Sequence, residues 1–291
     1  MSLRNACKNL KINYSFIDKL PKKTKEEIFN IKKNIIDIPL VINGKEIYHQ
    51  EKKLQFSPYQ HSTVASRYSI ANSTHLNQAI ESSIKSQKIW KEISLDKKYD
   101  IFSKAADLIS DKYYHKLLAA TIVGQGKNIY QAEIDAICEL ADFLNFNVKY
   151  HQEITKEQPL SSDNVINKSK WTGLNGFVAS ISPFNFTAIG GHLATAPLLM
   201  DNPVIWKPSD YSILSNYLIY QIMVEAGMPA METIQSATIT NAKLLKMENE
   251  LGQIKGGFLA DIIAVNEDPT KKIESMENVV FVMKNGVIYK N

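Results

Sequence analysis

Gly176-Phe177-Val178-Ala179-Ser180-Ile181 and Pro203-Val204-Ile205-Trp206 are the two segments on which the fold turns. Each is a short apolar run bounded by glycine or proline, the pattern of a strand buried in a parallel sheet. Between them Pro183-Phe184-Asn185-Phe186 reads as a loop and Thr187 to Met200 as a helix. Pro208 ends the second run, and Ser212 to Ala226 reads as a second helix. Strand, helix, strand, helix is the opening of a doubly wound sheet, in which ligands bind outside the carboxyl ends of the strands. The loops after Ile181 and after Trp206 are therefore where a site is expected.

Upstream, Val41 to Tyr48 centres on Asn43-Gly44 and reads as a hairpin, because Asn-Gly supplies the positive φ angles of a tight primed turn. Ser73 to Trp90 and Asp96 to Leu118 carry apolar residues at helical steps, with Asn72, Ser73 or Thr74 available to cap the first. Asn128 to Tyr150 gives the clearest helical pattern: Tyr130, Ile134, Ile137, Ala141, Leu144 and Val148 fall on one face. Downstream of Gly227-Met228-Pro229 the rhythm changes to a helix over Met231 to Met247, a strand over Leu259 to Val265, and a hairpin around Asn285-Gly286. The expectation is an α/β protein. A helical and hairpin N-terminal part leads into an incomplete doubly wound, Rossmann-like parallel sheet, followed by a C-terminal helix and a small β element. A boundary near Pro229 divides it into residues 1–228 and 229–291.

Composition narrows the classes. A chain of 291 residues with 44% hydrophobic content can bury a sizeable core. A net charge of +4, with Lys and Arg spread along the chain, argues against nucleic acid or an anionic membrane as the main partner. No apolar run approaches the roughly 18 residues of a membrane span. Cys7 and Cys138 suffice for neither a disulfide framework nor a cysteine-based zinc site, which fits a reducing compartment and a cytoplasmic protein. The start of the chain has no apolar core and so is no secretory signal; its lack of acids before Asp18 leaves a transit peptide open.

Three ordered motifs then carry a resemblance. Val123-Gly124-Gln125-Gly126-Lys127 leads into Gln131-Ala132-Glu133-Ile134-Asp135; Ser182-Pro183-Phe184-Asn185-Phe186-Thr187 follows the first strand; Trp206-Lys207-Pro208-Ser209-Asp210 follows the second. From about Lys23 to Gly227 the chain resembles the 1-pyrroline-5-carboxylate (L-glutamate γ-semialdehyde) branch of the NAD-dependent aldehyde dehydrogenases. The segment from about Gly227 onward, with Asn241-Ala242-Lys243-Leu244-Leu245 and Gly257 to Ile263, resembles the C-terminus of a metal-dependent amidohydrolase of the imidazolonepropionase or prolidase-like kind.

The resemblance implies roles. Aldehyde oxidation needs a thiolate nucleophile, donors for the oxyanion of the tetrahedral adduct, NAD to take the hydride, and a carboxylate to activate water. Asn185 matches the oxyanion donor; a turn asparagine that merely satisfies backbone groups is the plainer alternative. Lys207 and Asp210 match the pair that holds the adenosine ribose, against the plainer reading of a solvated helix start. Ser182 and Phe184 stand beside the cofactor, and Glu133 and Phe186 line the substrate end, although an acid on a polar helix face is usually just solvated.

Cys138 lies mid-helix with nothing to lower its pKa and reads as a packed thiol. Gly124-Gln125-Gly126-Lys127 fails as a phosphate loop, because Thr121 stands where the first glycine belongs. The six histidines are scattered, so no metal is expected. The resemblance ends before the family's nucleophile, its general-base glutamate and its oligomerisation strand. It thus implies a chain truncated before its catalytic cysteine and without turnover of its own. The alternatives are an NAD-binding module, a module that pairs with a full-length dehydrogenase subunit, and a hydrolase remnant. A cytoplasmic location is implied, or the mitochondrial matrix in a eukaryote.

Overall fold

The computed structural model describes residues 20–228, 249–250, 253–266 and 278–290. The helix expected over Met231 to Met247, and Cys7, lie outside the described residues. The chain forms two compact units, Met1–Ala226 and Gly227–Asn291.

The first unit opens with helix α1 (Lys22–Lys33). Strand β1 (Ile36–Ile38) runs parallel to β5 (Val64–Ser69), and β4 (Lys52–Phe56) pairs antiparallel on the other side of β5. This mixed sheet is illegible in Lys52-Lys53-Leu54-Gln55-Phe56, where a glutamine takes an inward position. Between β1 and β4, the hairpin β2 (Leu40–Ile42) and β3 (Lys45–Ile47) forms as expected, with φ 53° at Asn43 and 69° at Gly44.

Helix α2 (Ser73–Glu92) is capped by Asn72, whose side chain accepts from the His75 amide at 3.0 Å while His75 Nδ1 accepts from the Asn72 amide at 3.3 Å. The single helix expected over Asp96 to Leu118 is two, α3 (Leu95–Ser110) and α4 (Tyr114–Gln125). Asp111 breaks it with φ −123° and ψ −86°, while the Ser110 hydroxyl turns back to the Ala106 carbonyl; short polar side chains compete for helical hydrogen bonds in this way. Gly126, at φ 69°, ends α4 in the left-handed conformation that glycine adopts without a Cβ penalty.

The helix over Asn128 to Tyr150 is also interrupted. It consists of α5 (Ile129–Glu133), a π-helical turn (Ile134–Glu139) and α6 (Leu140–Lys156). Of the expected apolar stripe, Ile137, Ala141, Leu144 and Val148 are buried, but Tyr130 is 50% exposed and Ile134 36%. A π turn widens the helix and rotates everything before it relative to everything after it. The rotation turns Asp135 inward, to 1% exposure, and Glu133, on the stripe four residues before Ile137, is 7% exposed.

Strand β6 (Val178–Ile181), helix α7 (Thr187–Leu199), strand β7 (Val204–Lys207) and helix α8 (Ile213–Ala226) follow in the expected order. The strands pair in parallel, from Val178 opposite Val204 to Ile181 opposite Lys207. Burial of β6 holds for one face only. Ser180 is buried, whereas Ala179 is exposed and Ile181 is 72% exposed.

Helices α7 and α8 pack on α3, α4 and α6 around Phe102, Leu117, Leu140, Leu144, Leu214 and Ile219. Each fully buried side chain of this size contributes about 1.5–3 kcal/mol. The turn before β7 is held by a buried ion pair, in which Lys98 Nζ lies 2.7 Å from Asp201 Oδ1 and 5.4 Å from the centre of the Trp90 ring.

The second unit contains β8 (Ile262–Val265), β9 (Val279–Lys284) and β10 (Val287–Lys290), an antiparallel sheet in the order β10-β9-β8. Its Asn285-Gly286 turn forms as expected, and Asp261 Oδ1 accepts from the Asn285 amide at 2.6 Å. Among the described residues no helix is long and apolar enough to cross a membrane.

Candidate active site

The loop from Ser182 to Phe186 leaves the carboxyl end of β6 and enters α7. Asn185 is exposed, and its side chain makes no hydrogen bond with any described residue. Phe184 is 63% exposed and Phe186 half-buried. Phe186 occupies the N-cap of α7 and has no side-chain oxygen to offer the first amides.

Those amides are held from another element. Asp135, turned inward by the π-helical turn, accepts from Thr187 N through Oδ2 at 3.0 Å and from Ala188 N through Oδ1 at 2.8 Å. Lys127 Nζ lies 2.6 Å from Asp135 Oδ2 and 4.0 Å from the centre of the Phe186 ring. The Thr187 hydroxyl accepts from Gln125 Nε2 at 2.8 Å, donates to Ser215 Oγ at 3.1 Å and lies 3.0 Å from the Thr121 hydroxyl.

At the end of β7, Lys207 and Asp210 form an open ion pair of 3.6 Å, and Lys53 stands 4.0 Å from Asp210. Ser182 faces inward instead. Its amide donates to Lys207 O, its hydroxyl accepts from Trp206 Nε1 at 2.6 Å and reaches Gly190 O at 3.4 Å. Exposed Ile181 stands opposite Lys207 in the strand register, so apolar surface lies beside the ion pair.

The loop bearing that pair is supported by Gln55, which is 1% exposed. Gln55 Nε2 donates to Tyr211 O at 2.7 Å and to Gly124 O at 3.4 Å, and its Oε1 accepts from Ser66 Oγ and Leu214 N, each at 3.1 Å.

Glu133 is not on a solvated face: it is buried, and Tyr114 donates to its Oε1 at 2.6 Å. Burial raises its pKa, with the tyrosine hydrogen bond acting the other way; burial and the neighbouring acid raise that of Tyr114. Cys138 is 5% exposed, whereas Asn185 faces solvent. Among the described residues no hydrogen bond or ion pair joins Glu133 to the Asn185 loop, and no group of three His, Cys, Asp or Glu side chains is placed to hold a metal.

The structure thus brings Phe186 together with Lys127 and Asp135, and Lys207 with Asp210. Asp135, Lys127 and Gln55 escape the sequence reading as functional candidates. The signal for Asp135 was indirect: a helix that starts at Phe186-Thr187 must find its cap elsewhere.

An open α/β unit with an unengaged amide beyond its first strand and an ion pair beyond its second defines a class of protein whose site lies at the sheet's carboxyl edge. The sequence profile of the aldehyde dehydrogenase family matches residues 48–241, running past the boundary expected near Pro229. The chain belongs to the aldehyde dehydrogenase family. It is 49% identical over 196 residues to the probable delta-1-pyrroline-5-carboxylate dehydrogenase of Schizosaccharomyces pombe, covering 67% of this chain and 36% of that protein. It is 46% identical over 192 residues to the mitochondrial delta-1-pyrroline-5-carboxylate dehydrogenase of Homo sapiens, covering 66% and 34%. The NAD-bound delta-pyrroline-5-carboxylate dehydrogenase of Mycobacterium tuberculosis superposes with a TM-score of 0.72 at 36% identity, over 75% of this chain and 42% of that one. The chain spans about a third of the length of the curated relatives it matches.

Proposed function

We propose that this chain carries the oxyanion donor and the cofactor-facing loops of an NAD-dependent L-glutamate γ-semialdehyde dehydrogenase, and that these 291 residues alone do not turn over aldehyde. The observation that carries the reading is the exposed, unengaged amide of Asn185 at the carboxyl end of β6. Held in place, that amide donates to the oxygen of an aldehyde as it gains charge, which stabilises the adduct from which hydride leaves. NAD, when bound, accepts that hydride.

The residues at the sheet edge fit such a group. Lys207 and Asp210 offer charged atoms to ribose hydroxyls, exposed Ile181 and Phe184 offer apolar surface, and Ser182 keeps the main chain of the loop against the sheet. Phe186 and Glu133 are proposed for the substrate end, where burial raises the pKa of Glu133.

The burial of the described thiol supports the absence of independent turnover. A covalent pathway needs a thiolate facing the donor amide, and the described cysteine, Cys138, is buried in a helix. Mixing the purified chain with L-glutamate γ-semialdehyde and NAD should yield no NADH; steady NADH formation would refute the reading.

A second reading, a module that binds NAD or pairs with a full-length dehydrogenase subunit, is favoured by the exposed Ile181 and Phe184. A calorimetric titration with NAD, with co-purification as its second arm, tests it; no heat and no co-purifying subunit would remove it. Residues 229–291 are proposed as an amidohydrolase-type C-terminal segment, a likeness supported by the antiparallel β8–β9–β10 sheet. Sequencing across the junction in the source genome tests it. The mitochondrial relatives support a matrix location in a eukaryotic source.

A further inference from the structure

We infer that Asp135 is the positioning residue of the Asn185 amide: a cap supplied from the π-helical turn that fixes the entrance of α7 and leaves the adjoining donor side chain free for its ligand. The inference rests on the proposed function only for what Asn185 does once it is in place.

The local chain gives no means of holding this entrance. Phe186 sits at the N-cap without an oxygen acceptor, so the first α7 amides would be orphaned, and buried orphans are costly. Thr187 and Ala188 are both fully buried, which closes off solvation by water. The carboxylate of Asp135 takes both amides, one with each oxygen, and lies where the positive end of the helix dipole favours a negative charge.

The same carboxylate holds Lys127, and the Lys127 ammonium lies over the Phe186 ring. Both sides of the turn that follows Asn185 are therefore tied to one acid: the ring of Phe186 through a cation–π contact, the amides of Thr187 and Ala188 through hydrogen bonds. Asn185 needs no hydrogen bond of its own to be held, and it makes none with a described residue. A donor fixed by its backbone and unengaged at its side chain is what stabilisation of developing charge requires, since any intramolecular partner would have to be displaced first.

The π-helical turn is the second part of the device. Continued as a regular helix, the Asn128–Tyr150 pattern would direct Ile134 into the core and leave Asp135 outside it. The widened turn exchanges them, exposing Ile134 at 36% and burying Asp135 at 1%. Departures of this kind are common at functional sites.

The experiment is nuclear magnetic resonance on the full chain, which needs neither aldehyde nor NAD. In the native chain, the Thr187 and Ala188 amides should exchange at least 100-fold slower than unstructured amides, and the Asn185 backbone order parameter should match that of the flanking helices, about 0.85. A mobile Asn185 backbone would overturn the inference whether or not any variant folds. In Asp135→Asn, exchange at Thr187 and Ala188 should accelerate tenfold or more, and the Asn185 side-chain amide signal should shift and narrow. The side-chain amide of Asn72, which caps a helix that does not touch Asp135, should not change. Adding Phe186→Ser to supply a local cap should restore the slow exchange. Unchanged exchange in Asp135→Asn, or equal changes at Asn72 and Asn185, would overturn it. A failure to bind NAD would defeat the proposed function and leave these readouts untouched, so the two ideas fail separately.

Discussion

Two loops at the same edge of the β6–β7 sheet are built in opposite ways. The entrance of α7 is closed inside: Asp135, Lys127, Thr187 and Gln125 meet in a network whose carboxylate has three partners and 1% exposure. The loop after β7 is open: Lys207, Asp210 and Lys53 face solvent across 3.6 and 4.0 Å. A fully partnered buried charge has a single geometry, because every alternative leaves something unsatisfied. An exposed pair has many, of nearly equal energy. The first loop is therefore shaped before any ligand arrives, and the second is left for a ligand to shape. A donor to a transition state belongs on the first kind, and a clasp for a sugar can sit on the second.

The largest effect expected in the comparison comes from emptying the closed side. Asp135→Leu removes the acceptor of two buried amides and strands the Lys127 ammonium, whose side chain is 15% exposed. Breaking a buried pair by removing one partner costs about 3–5 kcal/mol. Urea denaturation followed by far-ultraviolet circular dichroism should show a loss of that order. A loss below about 1 kcal/mol would mean that the network is no more rigid than the open pair.

Gln55 tests the support beneath the open loop. Its amide joins β4, β5, the end of α4 and the start of α8. Gln55→Leu keeps the volume and leaves Leu214 N and Tyr211 O without their partner, at an expected cost of about 1–3 kcal/mol. If the open loop depends on this support, any affinity for NAD, measured by calorimetry, should fall further than it does in Asp135→Asn.

Much of this was legible in the chain and some was not, for physical reasons. The β6–α7–β7–α8 order and the two Asn-Gly hairpins follow from local chemistry: apolar runs cut by proline, and the positive φ that glycine and asparagine accept. The residues proposed for the outer site, Asn185, Lys207 and Asp210, could be picked out because they sit in contiguous motifs at strand ends. What stayed hidden depends on partners distant in sequence. Gln55 looks like a surface residue until its 156- and 159-residue contacts to Tyr211 and Leu214 are made. The π turn leaves no local mark, since Ile134-Asp135-Ala136-Ile137 continues a helical stripe without a break. Its effect on Ile134 and Asp135 is a change of phase, which periodicity counted across the turn averages away.

The buried acid on the helix before that turn yields a test in pH. Burial raises the pKa of Glu133 in the folded chain above its ordinary 4.5, with the Tyr114 hydrogen bond pulling the other way. The folded state then holds the proton more tightly than the unfolded one, so the neutral acid's stabilisation is complete below about pH 4.5 and is lost as pH rises through the folded value. Glu133→Gln should flatten the stability curve in that window, read by thermal unfolding at stepped pH. Because the effect is a slope and not an offset, it separates the ionisation of Glu133 from its packing; an unaltered slope would show that Glu133 is already ionised when folded.

The smallest effect is expected on the open side, and its smallness is the point. Asp210→Asn removes the charge opposite Lys207 and Lys53, both of which stay in water, while its amide oxygen can still accept from the hydroxyl of buried Tyr68, the third partner of Asp210. Exposed pairs of this kind contribute about 0–1 kcal/mol and are screened by salt. The unfolding midpoint in urea should therefore move little, and still less in about 1 M salt, where the Debye length is near 3 Å. If the loop is shaped by its ligand, the same variant should weaken NAD binding by tenfold or more despite its near-native stability. A variant that lost stability and kept its affinity would reverse the contrast, making Lys207 and Asp210 part of the scaffold and not of a loop that a ligand shapes.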